Sequence, residues 1–256
     1  MDLMFKSHLA AHFKSSSQKA RVLSENWVHN QVFCPNCGLK KLNKYENNKP
    51  VADFFCIHCG EDFELKSSKQ TFGNKIVDGA YKTMVTRLTD MRNPNFFLLN
   101  YESTRLQVIN FFVIPKHFFT PGIIQKRKPL SKLAHRSGWV GCNILLNSIP
   151  QTGKIYFVRN KVIEPQETVF RNWGKTLFLR ERNISKEKGW LLDLIHCIEK
   201  LNATEFSLNE IYEFRGLLKA KHPRNKNIKE KIRQQLQILR DKKYLIFLGR
   251  GKYKII

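Results

Sequence analysis

Four cysteines in the first quarter of the chain have the spacing of a structural zinc site. They form two Cys-x-x-Cys pairs, Cys34 with Cys37 and Cys56 with Cys59, and eighteen residues separate the pairs. Two pairs at this separation are typical of a tetrahedral site with four thiolate ligands, which is closed and leaves no position for water. We therefore expect these cysteines to bind Zn²⁺ and to stabilise the fold.

Two carboxylates and a lysine flank the second cysteine pair. Asp53 precedes the pair, and Glu64 and Lys66 follow it. Short apolar runs at residues 51–55 and 62–66 predict two antiparallel strands joined by the metal-binding turn. The three charged side chains are then expected on neighbouring strands, close to one another.

Side-chain alternation along these strands predicts a shared polar face. Glu64 and Lys66 point one way, whereas Phe63 and Leu65 are expected to point into the core. Asp53, on the neighbouring strand, shares the polar face. Two carboxylates at one site repel each other unless a divalent cation binds them, and oxygen ligands suit Mg²⁺. We predict Asp53, Glu64 and Leu65 as Mg²⁺ ligands, with Lys66 assisting the attacking water.

The residues around the second cysteine pair fit a known nuclease signature. The pattern P-D…(D/E)-x-K of the restriction-endonuclease-like nucleases, with two residues inserted after the proline, is matched by Pro50, Asp53, Glu64 and Lys66. The chain resembles the DpnI-type methyl-directed restriction endonucleases over nearly its full length. Besides the cysteine pairs and the nuclease signature, the resemblance is carried by Ser-Gln-Lys-Ala-Arg at 17–21, Asp-Gly-Ala-Tyr at 78–81 and Arg-Gln-Gln-Leu-Gln-Ile-Leu-Arg-Asp at 233–241.

This resemblance implies a Mg²⁺-dependent, type II site-specific deoxyribonuclease. Such enzymes belong to restriction systems and cut duplex DNA at GATC when its adenine carries an N6-methyl group. By similarity, Asp53 and Glu64 hold the metal and Lys66 assists the nucleophile. A bound water attacks the phosphate in line, and the 3′ oxygen leaves. The methylated DNA substrate is implied by the resemblance and not by residue spacing.

The chain is strongly basic. It has 45 Lys and Arg residues against 21 Asp and Glu, a formal net charge of +24 and a pI of about 10.0. The expected partner is therefore a polyanion, with nucleic acid as the first candidate. A membrane surface is the alternative, but no apolar run reaches the ~20 residues that span a bilayer. We expect a protein that is monomeric in solution and binds double-stranded DNA with methylated adenine.

Cysteine usage and the N-terminal sequence indicate a cytoplasmic protein of bacterial type. Residues 1–13 lack the basic region, apolar core and cleavage site of a signal peptide. Four of the six cysteines belong to the two pairs, as expected where thiols bind metal and do not form disulfides. Cys142 and Cys197 lie among apolar residues and are predicted to be buried and inert.

The first domain, residues 1–182, is predicted to be α/β: a restriction-endonuclease-like nuclease core with an inserted zinc ribbon. Apolar or alternating runs at 96–101 and 106–114 extend the sheet. After the second strand of the polar face, we expect a polar loop at 67–74 and then a helix to about Met91.

A helix is predicted near the N-terminus, from a capped start at Ser15 through Asn30. It carries Glu25, for which two interpretations are open. The residue lies near the metals, as the first helix of related nucleases packs against the active-site sheet, or it belongs to a solvated helix surface.

A basic, irregular segment at residues 121–143 ends in an aromatic residue. Lys126-Arg127-Lys128-Pro129 precedes Trp139, and Gly138 and Gly141 lie on either side of that tryptophan. One interpretation is a loop that reaches into a DNA groove. The other is that Trp139 fills the core beside Val140.

From about Asn183 the pattern changes to three helical segments and a hairpin, the order of a small winged-helix domain at 183–256. Leu236 and Leu239 supply the buried face of the third helix. These residues include 17 Lys or Arg and 8 Asp or Glu, a net +9 of the total +24, so both predicted domains are basic. The candidate DNA-binding residues, besides Trp139, are Lys229, Lys231, Arg233, Gln234, Gln237, Arg250 and Lys252.

A non-catalytic regulator built from a zinc ribbon and a winged helix is the alternative to a nuclease. It accounts for the cysteines and the charge equally well, but not for the apolar framing of Asp53, Glu64 and Lys66 on paired strands. A zinc-dependent hydrolase is disfavoured because a four-cysteine site is closed.

Two parts of the chain are candidates for recognising the methyl group. They are Trp139 in the first domain and the third helix of the winged helix, and the sequence does not choose between them.

Overall fold

The computed structural model describes residues 1–46, 52–89, 93–181 and 185–256. Pro50 and Val51, at the start of the nuclease signature, lie outside this part of the chain, as does the domain boundary predicted between residues 182 and 183. In the described ranges, no helix is both long and apolar enough to cross a membrane.

The larger of two compact units consists of Met1–Leu146 and Thr152–Thr176 and confirms the predicted α/β class. Its helices and strands, in chain order, are α1 (Ser16–Gln31), β1 (Asn43–Lys44), β2 (Phe54–Phe55), β3 (Asp62–Ser68), β4 (Lys75–Ala80), α2 (Tyr81–Thr89), β5 (Asn95–Glu102), β6 (Gln107–Ile114), β7 (Ile124–Lys126), β8 (Gly141–Leu145), β9 (Ile155–Arg159), β10 (Val162–Ile163) and α3 (Gln166–Gly174). Short 3₁₀ turns lie at Ser7–Ala10, Lys116–Phe118 and Pro121–Ile123, and two more, Leu146–Ser148 and Gln151–Gly153, begin or end just outside this unit.

The main sheet of this unit has seven strands among the described residues, in the order β1-β2-β3-β5-β6-β9-β10. β3 and β5 are parallel, whereas the other neighbouring strands pair antiparallel. β5 has the sequence Asn-Phe-Phe-Leu-Leu-Asn-Tyr-Glu, and its residues 95–101 are all buried. A continuous apolar run of this kind is expected for a strand that is covered on both faces.

Aromatic side chains fix the main sheet against helix α1. The rings of Phe63 on β3 and Phe97 on β5 stack with centroids 4.5 Å apart. Phe111 on β6 lies 5.0 Å from Phe97 and 5.2 Å from Phe157. Trp27 of α1 contacts Phe111 edge-on at 5.2 Å. Because burial of each ring contributes about 1.5–3 kcal/mol, this cluster holds β3 firmly in the sheet.

The predicted antiparallel pairing around the second cysteine pair is confirmed. β2 and β3 pair with Phe54 opposite Phe63 and Phe55 opposite Asp62, and residues 56–61 form the turn between them. Phe54 and Phe63 are both fully buried. A shift of one residue would expose both of them, so the register of this hairpin is strongly specified.

A second sheet, with the order β4-β8-β7 in the described chain, replaces part of a predicted helix. We expected a helix to follow the loop at 67–74, but residues 75–80 form β4 and the helix α2 begins only at Tyr81. β4 pairs antiparallel with β8, and the register shifts between Asp78 and Ala80. Pairing with a strand more than sixty residues away outweighs the local preference of this segment.

The smaller unit consists of Asn147–Gln151 and Leu177–Ile256. Its longer segment begins with a 3₁₀ turn at Leu177–Glu181. Its helices and strands continue the numbering with α4 (Ser185–Lys200), β11 (Glu205–Ser207), α5 (Leu208–Tyr212), α6 (Arg215–Lys221), α7 (Ile228–Asp241), β12 (Leu245–Gly249) and β13 (Lys252–Ile255).

This unit is helical with a small antiparallel sheet, as expected for a helix-turn-helix domain with a wing. Its described strands lie in the order β11-β13-β12, so β11 adds a strand that the sequence did not predict. α5 starts with a capping box in which Ser207 and Glu210 exchange hydrogen bonds. Ile232, Leu236 and Leu239 of α7 are fully buried, which confirms the apolar face predicted for this helix.

A polar cluster joins helix α4 to the end of α6. The Asp193 carboxylate accepts hydrogen bonds from His222 Nε2 at 2.9 Å and from Lys221 Nζ. The His222 ring stacks on Trp190 with centroids 4.0 Å apart. Burial opposes ionisation of Asp193, but the hydrogen bonds from His222 and Lys221 outweigh it and lower its pKa.

Replacement of this carboxylate should destabilise the smaller unit in a pH-dependent way. We expect Asp193→Asn to lower the free energy of unfolding at pH 7 by about 2 kcal/mol. The lowered pKa means that the stabilising contribution is present above the unfolded value of about 3.9 and is lost as the pH falls through the folded pKa. Chemical denaturation at a series of pH values measures this difference.

The matched control is Asp241→Asn, because Asp241 is exposed and, within the described part of the chain, its ion pair is with the neighbouring Arg240. Its effect should stay within about 0.5 kcal/mol. A penalty for Asp193→Asn that persists unchanged below about pH 3 would contradict the assigned role of the carboxylate.

Candidate active site and zinc centre

The four predicted zinc ligands meet at one point. The Sγ atoms of the two cysteine pairs all lie within 4.8 Å of one another. Cys34 Sγ is 3.5 Å from Cys59 Sγ, and the distance between Cys37 and Cys56 is 3.4 Å. A tetrahedral zinc with Zn–S bonds of about 2.3 Å places its sulfurs about 3.8 Å apart. Burial raises the pKa of the Cys34 thiol, so a thiolate here needs a cation beside it. These residues fit a Zn²⁺ ion.

Both cysteine pairs use the same backbone turn to direct their sulfurs inward. The Gly38 N–H donates to the Cys34 carbonyl at 2.9 Å, and the Gly60 N–H donates to the Cys56 carbonyl at 2.9 Å. The two glycines have φ values of 81° and 70°, a left-handed conformation that glycine adopts without strain. The repeated sequence Cys-x-x-Cys-Gly therefore specifies the metal-binding turn as well as its ligands.

Asp53 lies directly beside strand β3. Its Oδ2 accepts a hydrogen bond from the Leu65 backbone N–H at 2.6 Å, and its own N–H donates to the Phe63 carbonyl at 2.9 Å. These bonds extend the β2–β3 pairing and fix the carboxylate against the strand. Burial raises the pKa of Asp53, while the bond from Leu65 and the charge of Lys66 oppose the rise.

Glu64 and Lys66 share the opposite face of β3 from Phe63, as predicted. Lys66 Nζ lies 2.5 Å from Glu64 Oε1. Burial raises the pKa of Glu64, and the charges of Asp78 and Asp53 add to the effect. Burial alone would lower the pKa of Lys66, but the charges of Glu64 and Asp78 raise it above its ordinary value. Lys66 is therefore an ammonium ion at neutral pH.

The carboxylates of this site have the chemistry of a hard-cation site. Among the described residues, Asp53 Oδ1 and Glu64 Oε2 have no hydrogen bond or ion pair, while the second oxygen of each carboxylate is engaged. Two largely buried carboxylates with raised pKa values, each offering one oxygen, fit Mg²⁺. Leu65 is half-buried, not in the core as predicted, and only its backbone carbonyl has an oxygen to offer a metal.

Asp78 joins the site although the sequence analysis gave it no role. Its Oδ1 lies 2.8 Å from Lys66 Nζ, so the ammonium contacts the carboxylates of both Asp78 and Glu64. Asp78 belongs to β4 in the second sheet, where a helix was expected. The only signal in the sequence was its place in the Asp-Gly-Ala-Tyr stretch at 78–81.

Glu25 is a second residue whose place the sequence did not settle. The interpretation as a solvated surface residue is wrong, because Glu25 is buried with a relative exposure of 6%. Its carboxylate pairs with Arg21 at 2.7 Å and with Lys44 at 2.5 Å. The negative charge of Glu25 also raises the pKa of Asp53. The Glu25 carboxylate on α1 is therefore close enough to the site to affect its charged groups.

The predicted DNA-binding residues occur in both units. In the larger unit, Trp139 is half-buried, and its ring covers Gly141 so closely that a Cβ on Gly141 would meet it at 2.8 Å. In the smaller unit, Lys231 is half-buried, Lys229 lies over the Tyr212 ring at 5.1 Å, and Arg233 pairs with Glu230. The exposed members of the set are Lys229, Arg233, Gln234, Gln237, Arg250 and Lys252.

The four-cysteine cluster should stabilise the fold and, with it, the nuclease activity that the resemblance implies, since its turn connects β2 to β3. We expect one zinc per chain by elemental analysis. Cys56→Ser should lower the zinc content, the melting temperature and the rate of DNA cleavage, because binding of a structural metal contributes directly to folding.

The control for this substitution is Cys197→Ser, which makes the same chemical change at a buried thiol of the smaller unit. It should leave the zinc content unchanged. A Cys56→Ser protein with wild-type melting and cleavage, or purified protein without zinc, would refute the structural role.

Two family models match the chain. The model for DpnI, described as the Dam-replacing family, matches residues 1–182. The model for the Dam-replacing HTH domain matches residues 186–255. These matches confirm the resemblance drawn from the cysteine pairs, the nuclease signature and the C-terminal motif. The chain belongs to the DpnI family, the Dam-replacing family, and residues 186–255 are its helix-turn-helix domain.

Proposed function

We propose that the protein is a Mg²⁺-dependent type II endonuclease that hydrolyses duplex DNA at GATC sites containing N6-methyladenine. Membership of the DpnI family implies a methyl-dependent restriction nuclease. The observation that carries the proposal is the convergence of Asp53, Glu64 and Lys66 beside the zinc-binding turn. The GATC sequence rests on the resemblance, and Mg²⁺ rests on the chemistry of the carboxylates.

The two carboxylates are the proposed metal ligands. Asp53 and Glu64 would hold Mg²⁺ through the oxygens that have no protein partner, with the backbone carbonyl of Leu65 as a further ligand. When bound, Mg²⁺ offsets the charge of the scissile phosphate and makes a water molecule more acidic. The hydrogen bond from the Leu65 N–H fixes the orientation of Asp53, so little reorganisation is needed when substrate arrives.

Lys66 is the proposed catalytic cation. Its ammonium lies beside Glu64, where it stabilises negative charge that develops on the phosphate and orients the attacking water. Lys66 remains protonated because the neighbouring carboxylates raise its pKa. On this proposal its function is electrostatic stabilisation of the phosphate and orientation of the attacking water.

A non-catalytic regulator would have little use for this arrangement. It would need the zinc centre and the basic surface, but not two largely buried carboxylates beside a half-buried lysine. Burial of charged groups costs stability even when they are paired. The retention of such a cluster on paired strands is therefore more readily explained by catalysis, and we favour the nuclease.

We propose that α7 and the wing contact duplex DNA. Lys229, Lys231, Arg250 and Lys252 would bind phosphates, which gives affinity without sequence preference. Arg233, Gln234 and Gln237 have side chains that bond base edges in the major groove. Gly249 and Gly251 flank Arg250, and all three have positive φ, so the turn projects Arg250 at the tip of the wing.

Recognition of the methyl group is proposed for Trp139, for α7 or for both. The N6-methyl lies in the major groove as a small apolar patch, and an aromatic ring beside it excludes poorly bound water. A methyl-sized contact is worth on the order of 1 kcal/mol, or about a few-fold in affinity. If both sites contact the methyl group independently, their preferences for methylated over unmethylated DNA multiply. Either site alone gives only a modest preference.

Removal of either metal-binding carboxylate should abolish cleavage but not binding. We expect Asp53→Ala and Glu64→Ala to lower the rate of methylated plasmid cleavage in Mg²⁺ by about 10³-fold or more. DNA affinity in metal-free buffer should be unchanged or tighter, because each substitution removes a negative charge near the phosphates. Gel assays of cleavage and fluorescence anisotropy of binding measure the two effects.

Asp62→Asn is the control for these variants, because Asp62 lies on the same strand but binds the Tyr45 hydroxyl at 2.8 Å. It should cut within about twofold of the wild-type rate. Near-normal cleavage by the Asp53→Ala or Glu64→Ala protein would show that the active site has been assigned wrongly. Equal digestion of methylated and unmethylated plasmid would refute the proposed substrate.

Substitutions in the wing and in α7 should have different effects: one should change the overall affinity for DNA, and the other the preference for a DNA sequence. In the uncleaving Glu64→Ala background, Lys252→Ala should weaken binding to every duplex and reduce the slope of log K against log salt by about 0.9. Gln234→Ala should leave that slope unchanged. It should reduce the difference in binding affinity between duplexes that contain GATC and unrelated duplexes. Salt titrations on matched duplexes, methylated and unmethylated, measure both quantities.

Lys254→Ala provides the control, because Lys254 is exposed on the same strand as Lys252 but pairs with Glu205 at 3.3 Å. It should change the salt slope less than Lys252→Ala does. If Lys252→Ala and Lys254→Ala have the same small effect on the salt slope, Lys252 does not contact phosphate.

A further inference from the structure

The proposed catalytic lysine is bound by a carboxylate from a different sheet. We propose that Asp78 is a positioning residue that holds the Lys66 ammonium in place for phosphodiester hydrolysis. The inference rests on the proposed nuclease function and adds a residue that lies outside the nuclease signature.

The contacts of Lys66 define this role. Its Nζ lies 2.5 Å from Glu64 Oε1 and 2.8 Å from Asp78 Oδ1. The exposed fraction of the Asp78 side chain is 10%, lower than the 18% of Glu64 and the 27% of Lys66. The carboxylate of Asp78 is therefore the more buried of the two partners of this lysine.

One hydrogen-bond acceptor is not enough to fix the position of a lysine ammonium. Its four-carbon stem is flexible and its ammonium has three donors that rotate freely. Glu64 is also a proposed metal ligand, so its position depends on metal and substrate. Asp78 supplies a second acceptor that comes from another sheet and is not one of the proposed metal ligands.

The fold explains how Asp78 reaches Lys66. Asp78 lies opposite Cys142 on β8, and the register of the two strands shifts between Asp78 and Ala80. Such a bulge re-aims side chains and commonly occurs beside active sites. The Gly79 carbonyl accepts from Cys142 Sγ at 3.4 Å, and the Tyr81 N–H donates to the Val140 carbonyl at 3.0 Å. Contacts within the bulge, at Gly79, and directly after it, at Tyr81, therefore fix the backbone that carries Asp78.

The first experiment separates turnover from binding in the full-length protein. Asp78→Asn keeps the shape of the side chain but removes its charge, and Asp78→Ala removes the acceptor. We expect kcat on methylated duplex in Mg²⁺ to fall by about 10- to 100-fold in both variants, as when other supporting residues of catalytic groups are removed. KM, zinc content and melting temperature should stay close to wild type. The control Asp62→Asn makes the same change of charge and should leave kcat within about twofold.

A double-mutant cycle tests whether Asp78 acts through Lys66. In a Lys66→Ala background, measured by single-turnover cleavage with excess enzyme, Asp78→Asn should have no further effect on the residual rate. If the Asp78→Asn loss persists at full size in that background, the carboxylate acts independently of Lys66, as a metal ligand or a structural residue would, and the proposal fails.

A crystal structure of the Asp78→Ala protein gives a readout that does not depend on activity. The Lys66 ammonium should move away from its present position while Asp53 and Glu64 remain where they are. An unmoved ammonium would overturn the positioning role even if the residual rate in the Lys66→Ala background is too low to measure. If instead the Lys66→Ala enzyme cuts at the wild-type rate, the assignment of the catalytic lysine fails, and that outcome is distinct from a failure of Asp78 alone.

Discussion

The pairing of β2 with β3 is the constraint on which the rest of the site depends. Phe54 and Phe63 are buried opposite each other, and the turn between the strands carries half of the zinc ligands. Side chains alternate along a strand, so a shift of one residue would move Glu64 to the core face and Phe63 to solvent. Apolar burial therefore decides which face presents the carboxylates, and the proposed catalysis uses a geometry that stability already requires.

Much of the fold and of the candidate site could be predicted from the sequence, because the residue patterns that specify these elements are local. The cysteine pairs occur twice with the same following glycine, and the alternation at residues 62–66 has the period of a strand. α1 begins within one residue of its predicted start, since Ser15 precedes a long helical pattern. The buried face of α7 follows from the spacing of Leu236 and Leu239. In each case the nearest few residues determine the conformation.

The parts that were missed depend on contacts between distant segments. Residues 75–80 form a strand only because β8, far along the chain, pairs with them, and no local pattern identifies Asp78 as a neighbour of Lys66. Glu25 is buried because Arg21 and Lys44 neutralise it, and Lys44 comes from another element. Sequence alone gives the charge of such residues, whereas their surroundings depend on tertiary packing.

The position of the cysteines along the chain has a consequence for the maturation of the protein. The first pair precedes Asp53, and the second pair lies between Asp53 and Glu64, so the proposed catalytic carboxylates come from both sides of the metal-binding turn. A newly made chain that has not yet acquired zinc lacks the link that aligns them. On the proposed function, zinc binding would therefore be needed before the two carboxylates are aligned for cleavage.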